Sequence, residues 1–172
     1  MEKKILICGG GTGGHLYPAL AIVEYIKDFH SSCKLLFIGT KRGLEKESIS
    51  KFGIDYRTVN SCGLVLKGSI FRKIFNTAKF FCYFALGFFQ SLKIVLTFKP
   101  DIILGMGGYI CSPVLSAGIS MGRRIALHEQ NYIPGRLNSL FSRFARYIFI
   151  SFRDSVRYFK VDKHKMVFTG NP

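Results

Sequence analysis

The sequence predicts an α/β fold, a parallel β-sheet flanked by helices. Three observations carry that prediction. Short, continuously apolar runs alternate with amphipathic segments along the chain, as strands buried on both faces do when crossover helices separate them. The first run, Ile5-Leu-Ile-Cys8, leads directly into a turn with five glycines between Gly9 and Gly14 and then into a helix. At 172 residues, with 48% hydrophobic and 15% aromatic content, the chain is sized for one domain with a real core and is too apolar to be disordered.

Strands are expected at 4–8, 34–38, 55–59, 101–104, 125–127, 147–150 and 166–168. Helices are expected at 18–29, 44–52, 70–96, 113–121, 136–144 and 155–159. Pro18 marks the first helix, because a first-turn proline loses no hydrogen bond. In parallel sheets ligands sit at the carboxyl ends of the strands. That places interest on the loops beginning at Gly9, Gly105 and His128. There is no internal repeat and no low-complexity linker.

The first loop, Gly9 to His15, frees the backbone to take positive φ and to approach a ligand closely. Its amides and the following helix dipole favour a diphosphate or another anion. Gly9, Gly11 and Gly14 match the G-x-G-x-x-G spacing of dinucleotide binders;. The second strand, however, runs into Gly39-Thr-Lys-Arg42 with no acid to hold a ribose. NAD is disfavoured, while Lys41 and Arg42 leave NADP open. Gly9 and Gly14 also have P-loop spacing, but His15 stands where that motif requires Lys;. A second glycine turn, Gly105 to Tyr109, again joins a strand to a helix, and its amides suit an anion or close packing. His128, Glu129, Gln130 and Asn131 follow the next strand and are rich in hydrogen-bonding groups;. They do not form H-e-x-x-H, so a zinc-protease reading fails.

Net charge is +15, which points to an anionic partner. The segment 56–100 has no Asp or Glu but carries Arg57, Lys67, Arg72, Lys73, Lys79, Lys93 and Lys99 among many phenylalanines. Its longest uncharged run, 80–92, is 13 residues, short of the roughly 20 a spanning helix needs. Lys79, Tyr83, Gln90 and Lys93 mark only a narrow polar stripe, leaving more apolar surface than one core-facing stripe requires. Two uses fit that surplus: burial against the sheet, or contact of Phe71, Ile74 and Phe75, beside Lys67, Arg72 and Lys73, with an anionic bilayer. The segment lacks an RNA-binding consensus, so lipid is favoured over nucleic acid. The five cysteines are scattered with no C-x-x-C, which fits reduced thiols and no metal site. The apolar run after Lys3 and Lys4 stops at Cys8, too short for a signal peptide.

Gly9–His15, Gly105–Tyr109, His128–Asn131 with Pro134 and Gly135, and Thr169-Gly-Asn-Pro172 occur in that order. Together they resemble the MurG family of bacterial transferases, which move N-acetylglucosamine (GlcNAc) from UDP-GlcNAc to lipid I, giving lipid II for peptidoglycan. The resemblance implies a GT-B fold of two Rossmann-like domains, of which this chain covers the N-terminal, acceptor- and membrane-side one. It implies sugar-nucleotide contacts at Thr12, Gly13 and Gly14, a GlcNAc contact at Asn131, and an acceptor-diphosphate contact at Gly107, Gly108 and Tyr109. His15 falls near the reacting centre, and the basic apolar segment falls where the family meets the cytoplasmic face of the plasma membrane. The family's Arg after Gly-Asn-Pro and its C-terminal donor domain have no counterpart in these residues. The expectation is an acceptor-side half that binds UDP-GlcNAc weakly and turns over poorly alone.

The implied chemistry is an inverting, metal- and cofactor-independent transfer in which backbone amides and helix dipoles stabilise the departing diphosphate. The acceptor hydroxyl must lose a proton, a step suited to histidine. His15 is the candidate base, with loop orientation or donation to a diphosphate oxygen as its alternative, and Glu129 is the second candidate base. The competing functions are an NADP-binding oxidoreductase domain and a non-catalytic basic membrane-binding module.

Overall fold

The computed structural model describes residues 2–40 and 44–172. Its strands are β1 (Lys4–Cys8), β2 (Lys34–Gly39), β3 (Asp55–Thr58), β4 (Ile102–Gly105), β5 (Arg124–Glu129), β6 (Tyr147–Ile150) and β7 (Met166–Phe168). All described pairings are parallel, in the order β3-β2-β1-β4-β5-β6-β7. The chain winds outward from β1 to β3, then returns to the other side of β1 as β4. The β1/β4 boundary is therefore the topological switch point, where a crevice opens beyond the strand ends. Cys8 lies opposite Gly105 in the register, so both glycine turns leave the sheet at one level.

Alternate residues of each strand face opposite sides, and both sides are covered. On one, Ile7, Phe37, Leu104 and Ala126 pack with Leu16, Ala19 and Val23 of α1 (Gly13–Phe29) and with Ile49 of α2 (Leu44–Ser50). On the other, Leu6, Ile38, Ile103, Ile125, Leu127 and Ile148 share a core with α3 (Ile70–Phe98), α4 (Cys111–Ser120) and α5 (Arg136–Phe141). Full burial of a residue such as Leu or Ile stabilises by about 1.5–3 kcal/mol. That gain on both faces explains why the inner strands β1, β2 and β4 read as apolar runs, whereas the edge strand β3 does not.

Several boundaries differ from the sequence expectation. α1 begins at Gly13, not at Pro18, which sits inside the helix. Leu16, Ala19 and Val23 share one buried face, and burying that face carries the helix back over Gly13 and Gly14. β5 runs on to Glu129 because His128 and Glu129 pair with Phe149 and Ile150 of β6. His128 and Glu129 are thus strand residues rather than loop. The 136–144 helix is split into α5 and a 3₁₀ turn, Ser142–Phe144, and a 3₁₀ turn at Arg153–Tyr158 replaces the helix expected at 155–159.

α3 spans 29 residues, about 43 Å at helical rise. By length and composition it is long and apolar enough to cross a membrane, although its longest uncharged run falls short of that. Its C-terminal part is anchored: Ile94, Val95 and Phe98 are buried, and Gly87 meets the loop before it so closely that an added Cβ would lie 2.0 Å from the Asn60 carbonyl oxygen and 3.2 Å from Pro113 Cβ. Gln90 Oε1 accepts from the Asn60 amide at 2.7 Å. The N-terminal turns are open. Phe71 is 82%, Ile74 61% and Phe75 69% exposed, and Lys67, Arg72 and Lys73 are exposed beside them. Burial of most of this helix in the sheet is therefore not what occurs.

At the opposite end of the sheet from the glycine turns, Arg123, Arg124, Arg146 and Lys165 line a separate concavity of about 470 Å³.

Candidate active site

The two glycine turns lie against each other at the tips of β1 and β4. Gly107 and Gly108 have φ of 101° and 82°, a region that side chains rarely enter. Space excludes them as well. A Cβ on Gly108 would lie 2.4 Å from the Gly10 carbonyl oxygen, and one on Gly107 would lie 2.8 Å from His15 Cε1. Met106 donates its amide to the Cys8 carbonyl at 2.8 Å. Below, the buried Cys111 thiol is shared between the carbonyls of Cys8 (3.1 Å) and Gly107 (3.0 Å). Burial and the neighbouring Cys111 push the Cys8 thiol well up, so it is a packing group and no nucleophile.

Thr12 caps α1 with extended backbone and no side-chain cap bond. The first-turn amides of Gly13 and Gly14 have no hydrogen-bond partner among the described residues, and both residues are exposed. Such amides at a helix start suit an anion.

His15 is the third residue of α1 and lies across the second turn. Its Nδ1 is 3.3 Å from Gln130 Oε1, and Gln130 Nε2 donates to the Met106 carbonyl at 2.9 Å. Gln130 thus joins the loops after β1, β4 and β5. The sequence pattern marks the 128–131 segment as polar but gives no sign of this bridge, which depends on β1 and β5 both flanking β4.

Glu129 is 1% exposed. Oε1 accepts from the Asn131 amide (3.0 Å) and Asn131 Nδ2 (2.9 Å), and Oε2 accepts from the Gly135 amide and Asn138 Nδ2, each at 2.9 Å. Four donors occupy this carboxylate, and one of them fixes the Asn131 side chain. The roles of Gly135 and Asn138 are not legible in the sequence, because they meet Glu129 only through the path of the 130–135 loop into α5. His128 points to the other side of β5 and is 2% exposed. Burial pushes its imidazole below the usual histidine range, opposed by the nearby Gly170 backbone and the Glu129 charge.

His15, Gly107, Gly108, Tyr109, Glu129 and Asn131 all border one cavity of about 960 Å³. Its far wall is apolar: Leu64, Val65, Leu66, Phe80, Leu140 and Phe141, with Lys67 and Arg136 at the margins. One space thus has glycine backbone and polar side chains on one side and an apolar wall on the other, part of it from the loop that leads into α3. Thr12, Gly13 and Gly14 stand beside it without lining it. Lys41 and Arg42 lie outside the described residues.

Residues 5–150 match the model of the glycosyltransferase family 28 N-terminal domain. The chain belongs to glycosyltransferase family 28. A curated relative from Thermoanaerobacter sp. (strain X514), named UDP-N-acetylglucosamine–N-acetylmuramyl-(pentapeptide) pyrophosphoryl-undecaprenol N-acetylglucosamine transferase, is 41% identical over 169 residues. That alignment takes in 98% of this chain and 45% of the relative, so this family 28 domain spans about half the length of the relatives it matches. The crystal structure of Acinetobacter baumannii MurG superposes with a TM-score of 0.75 at 24% identity, covering 99% of this chain and 46% of that one. The S. aureus MnaA–UDP structure superposes at 0.70 with 16% identity, covering 99% and 45%. The family 28 domain therefore has the fold of a GT-B N-terminal domain.

Glu129→Gln tests what the carboxylate does in this domain. The substitution keeps the shape but turns an amide NH₂ toward donors. A buried group left unsatisfied costs about 1–3 kcal/mol, and each kcal/mol lowers the melting temperature of a domain this size by roughly 2–4 °C. Circular-dichroism melting is expected to show that loss, whereas an unchanged melting temperature would mean that the four hydrogen bonds hold nothing together.

Proposed function

We propose that this chain is the acceptor-side half of an inverting glycosyltransferase that moves GlcNAc from UDP-GlcNAc to lipid I, giving lipid II in peptidoglycan synthesis. The observation that carries the proposal is the single cavity joining the second glycine turn, His15 and Asn131 to an apolar wall, with the first glycine turn beside it. An amphiphilic diphosphate needs such a surface: amides for the phosphates and apolar side chains for the lipid end. The names of the relatives support the donor and acceptor, and the UDP-bound fold neighbour supports a nucleotide ligand.

In this reading Thr12, Gly13 and Gly14 meet the donor diphosphate, and Gly107, Gly108 and Tyr109 meet the acceptor diphosphate. Asn131, braced by Glu129, receives the GlcNAc hydroxyls. His15 takes the proton from the acceptor hydroxyl as its oxygen attacks the anomeric carbon and UDP departs. Glu129 is assigned a positioning role and not that of base, since its oxygens are already engaged. Developing charge on the leaving diphosphate falls to amides and helix dipoles, which are preorganised for it. A second, donor-side lobe completes the cleft, and the 172 residues alone are expected to bind UDP-GlcNAc weakly.

The reaction reading is tested by radiolabelled GlcNAc transfer to a lipid I analogue, using a protein of the relatives' full length that carries this domain. His15→Ala is expected to lower kcat by about 100-fold or more, the contribution of a positioned base. A loss below tenfold would remove His15 from that role, and no transfer by the unsubstituted protein would sink the reading itself.

The open start of α3 is proposed to rest on the cytoplasmic face of the plasma membrane. Phe71, Ile74 and Phe75 would enter the interface, while Lys67, Arg72 and Lys73 meet anionic headgroups at about 1 kcal/mol each. Flotation with phosphatidylglycerol vesicles should recover the chain, less so at high salt and far less for a Phe71→Ser, Phe75→Ser double variant. Equal recovery on neutral vesicles, or of the double variant, would contradict this.

A further inference from the structure

We infer that Gln130 sets the tautomer of His15, holding the ring proton on Nδ1 and leaving the Nε2 lone pair for the cavity. Three contacts lead there. A carbonyl oxygen only accepts, so the bond from Gln130 to the Met106 carbonyl at 2.9 Å must come from its NH₂;. That fixes the amide the other way round at its far end, with Oε1 toward His15 Nδ1 at 3.3 Å. An oxygen facing a ring nitrogen calls for a proton on that nitrogen, and the partner of one ring nitrogen decides the state of the other. Nε2 has no hydrogen-bond partner among the described residues, while His15 borders the cavity.

The ring is also held in plane. It lies on bare glycine backbone, with built Cβ positions on Gly107 3.0 Å from Nδ1 and on Gly108 3.4 Å from Cδ2. Its own backbone sits in the first turn of α1, tied by the His15 amide to the Thr12 carbonyl. Gln130 is therefore a positioning residue. It touches no substrate in this reading, and it hands His15 the protonation pattern that a proton acceptor at Nε2 requires. In water an unrestrained neutral imidazole side chain prefers its proton on Nε2, the wrong nitrogen for this task. The purpose given to Gln130 rests on His15 acting as base, but the tautomer itself does not.

The experiment is long-range ¹H–¹⁵N correlation of the histidine rings in the ¹⁵N-labelled 172-residue chain above pH 7.5, with His15 assigned from a His15→Gln variant. The expected result is the Nδ1–H pattern for His15, lost in Gln130→Met and retained in Gln130→Glu, whose carboxylate can still accept. Should Gln130→Met fail to fold, the wild-type pattern and the Gln130→Glu titration decide. A carboxylate beside Nδ1 must shift the His15 titration upward, and an unmoved curve would overturn the inference. So would an Nε2–H pattern in the wild type, or a folded Gln130→Met chain that keeps Nδ1–H. An intact Nδ1–H pattern alongside harmless His15→Ala kinetics would sink the base assignment and leave this inference standing.

Discussion

Cys8 and Gly105 end their strands side by side, and the floor of the cavity follows from that register. Two turns leaving adjacent strands at one height must pass within van der Waals reach. Only bare backbone fits: Gly108 under the Gly10 carbonyl, and Gly107 under the His15 ring. A slip of one residue would reverse the faces of β4 and carry the second turn away from the first. The buried Cys111 thiol, the Met106 amide and the Gln130 bridge each fasten the turns a second time. Their redundancy suits a site whose donors must be in place before charge develops.

Rigid backbone at the floor contrasts with the open start of α3. The same helix is locked at Gly87, Gln90 and Ile94 and bare at Phe71, Ile74 and Phe75. Asn76 Nδ2 reaches back to the Val65 carbonyl at 3.2 Å, which ties the apolar loop of the cavity wall to the exposed turns.

The inner strands β1, β2 and β4 were legible because they are apolar on both faces, and the second glycine turn because Gly107 and Gly108 have neither the φ nor the room for a side chain. The start of α1 was missed because Gly13 and Gly14 are poor helix formers, and the burial of Leu16 that outweighs them is a tertiary effect. The length of β5 was missed because His128 and Glu129 are polar, yet pair with β6. The motif residues His15, Gly107, Gly108 and Asn131 could be picked out, and the cavity brings them together. Glu129 could be picked out too, but its four donors arrive from 131, 135 and 138 through a loop whose path no local pattern encodes.

The central claim is that each of the two adjacent glycine turns offers backbone amides to an anion, one for each diphosphate. Titration of the ¹⁵N-labelled chain with pyrophosphate, followed amide by amide, tests it most directly. The account predicts saturable shifts at both pairs, Gly13 with Gly14 and Gly107 with Gly108. Shifts confined to the basic concavity around Arg124 and Arg146, with the glycine amides unmoved, would contradict it.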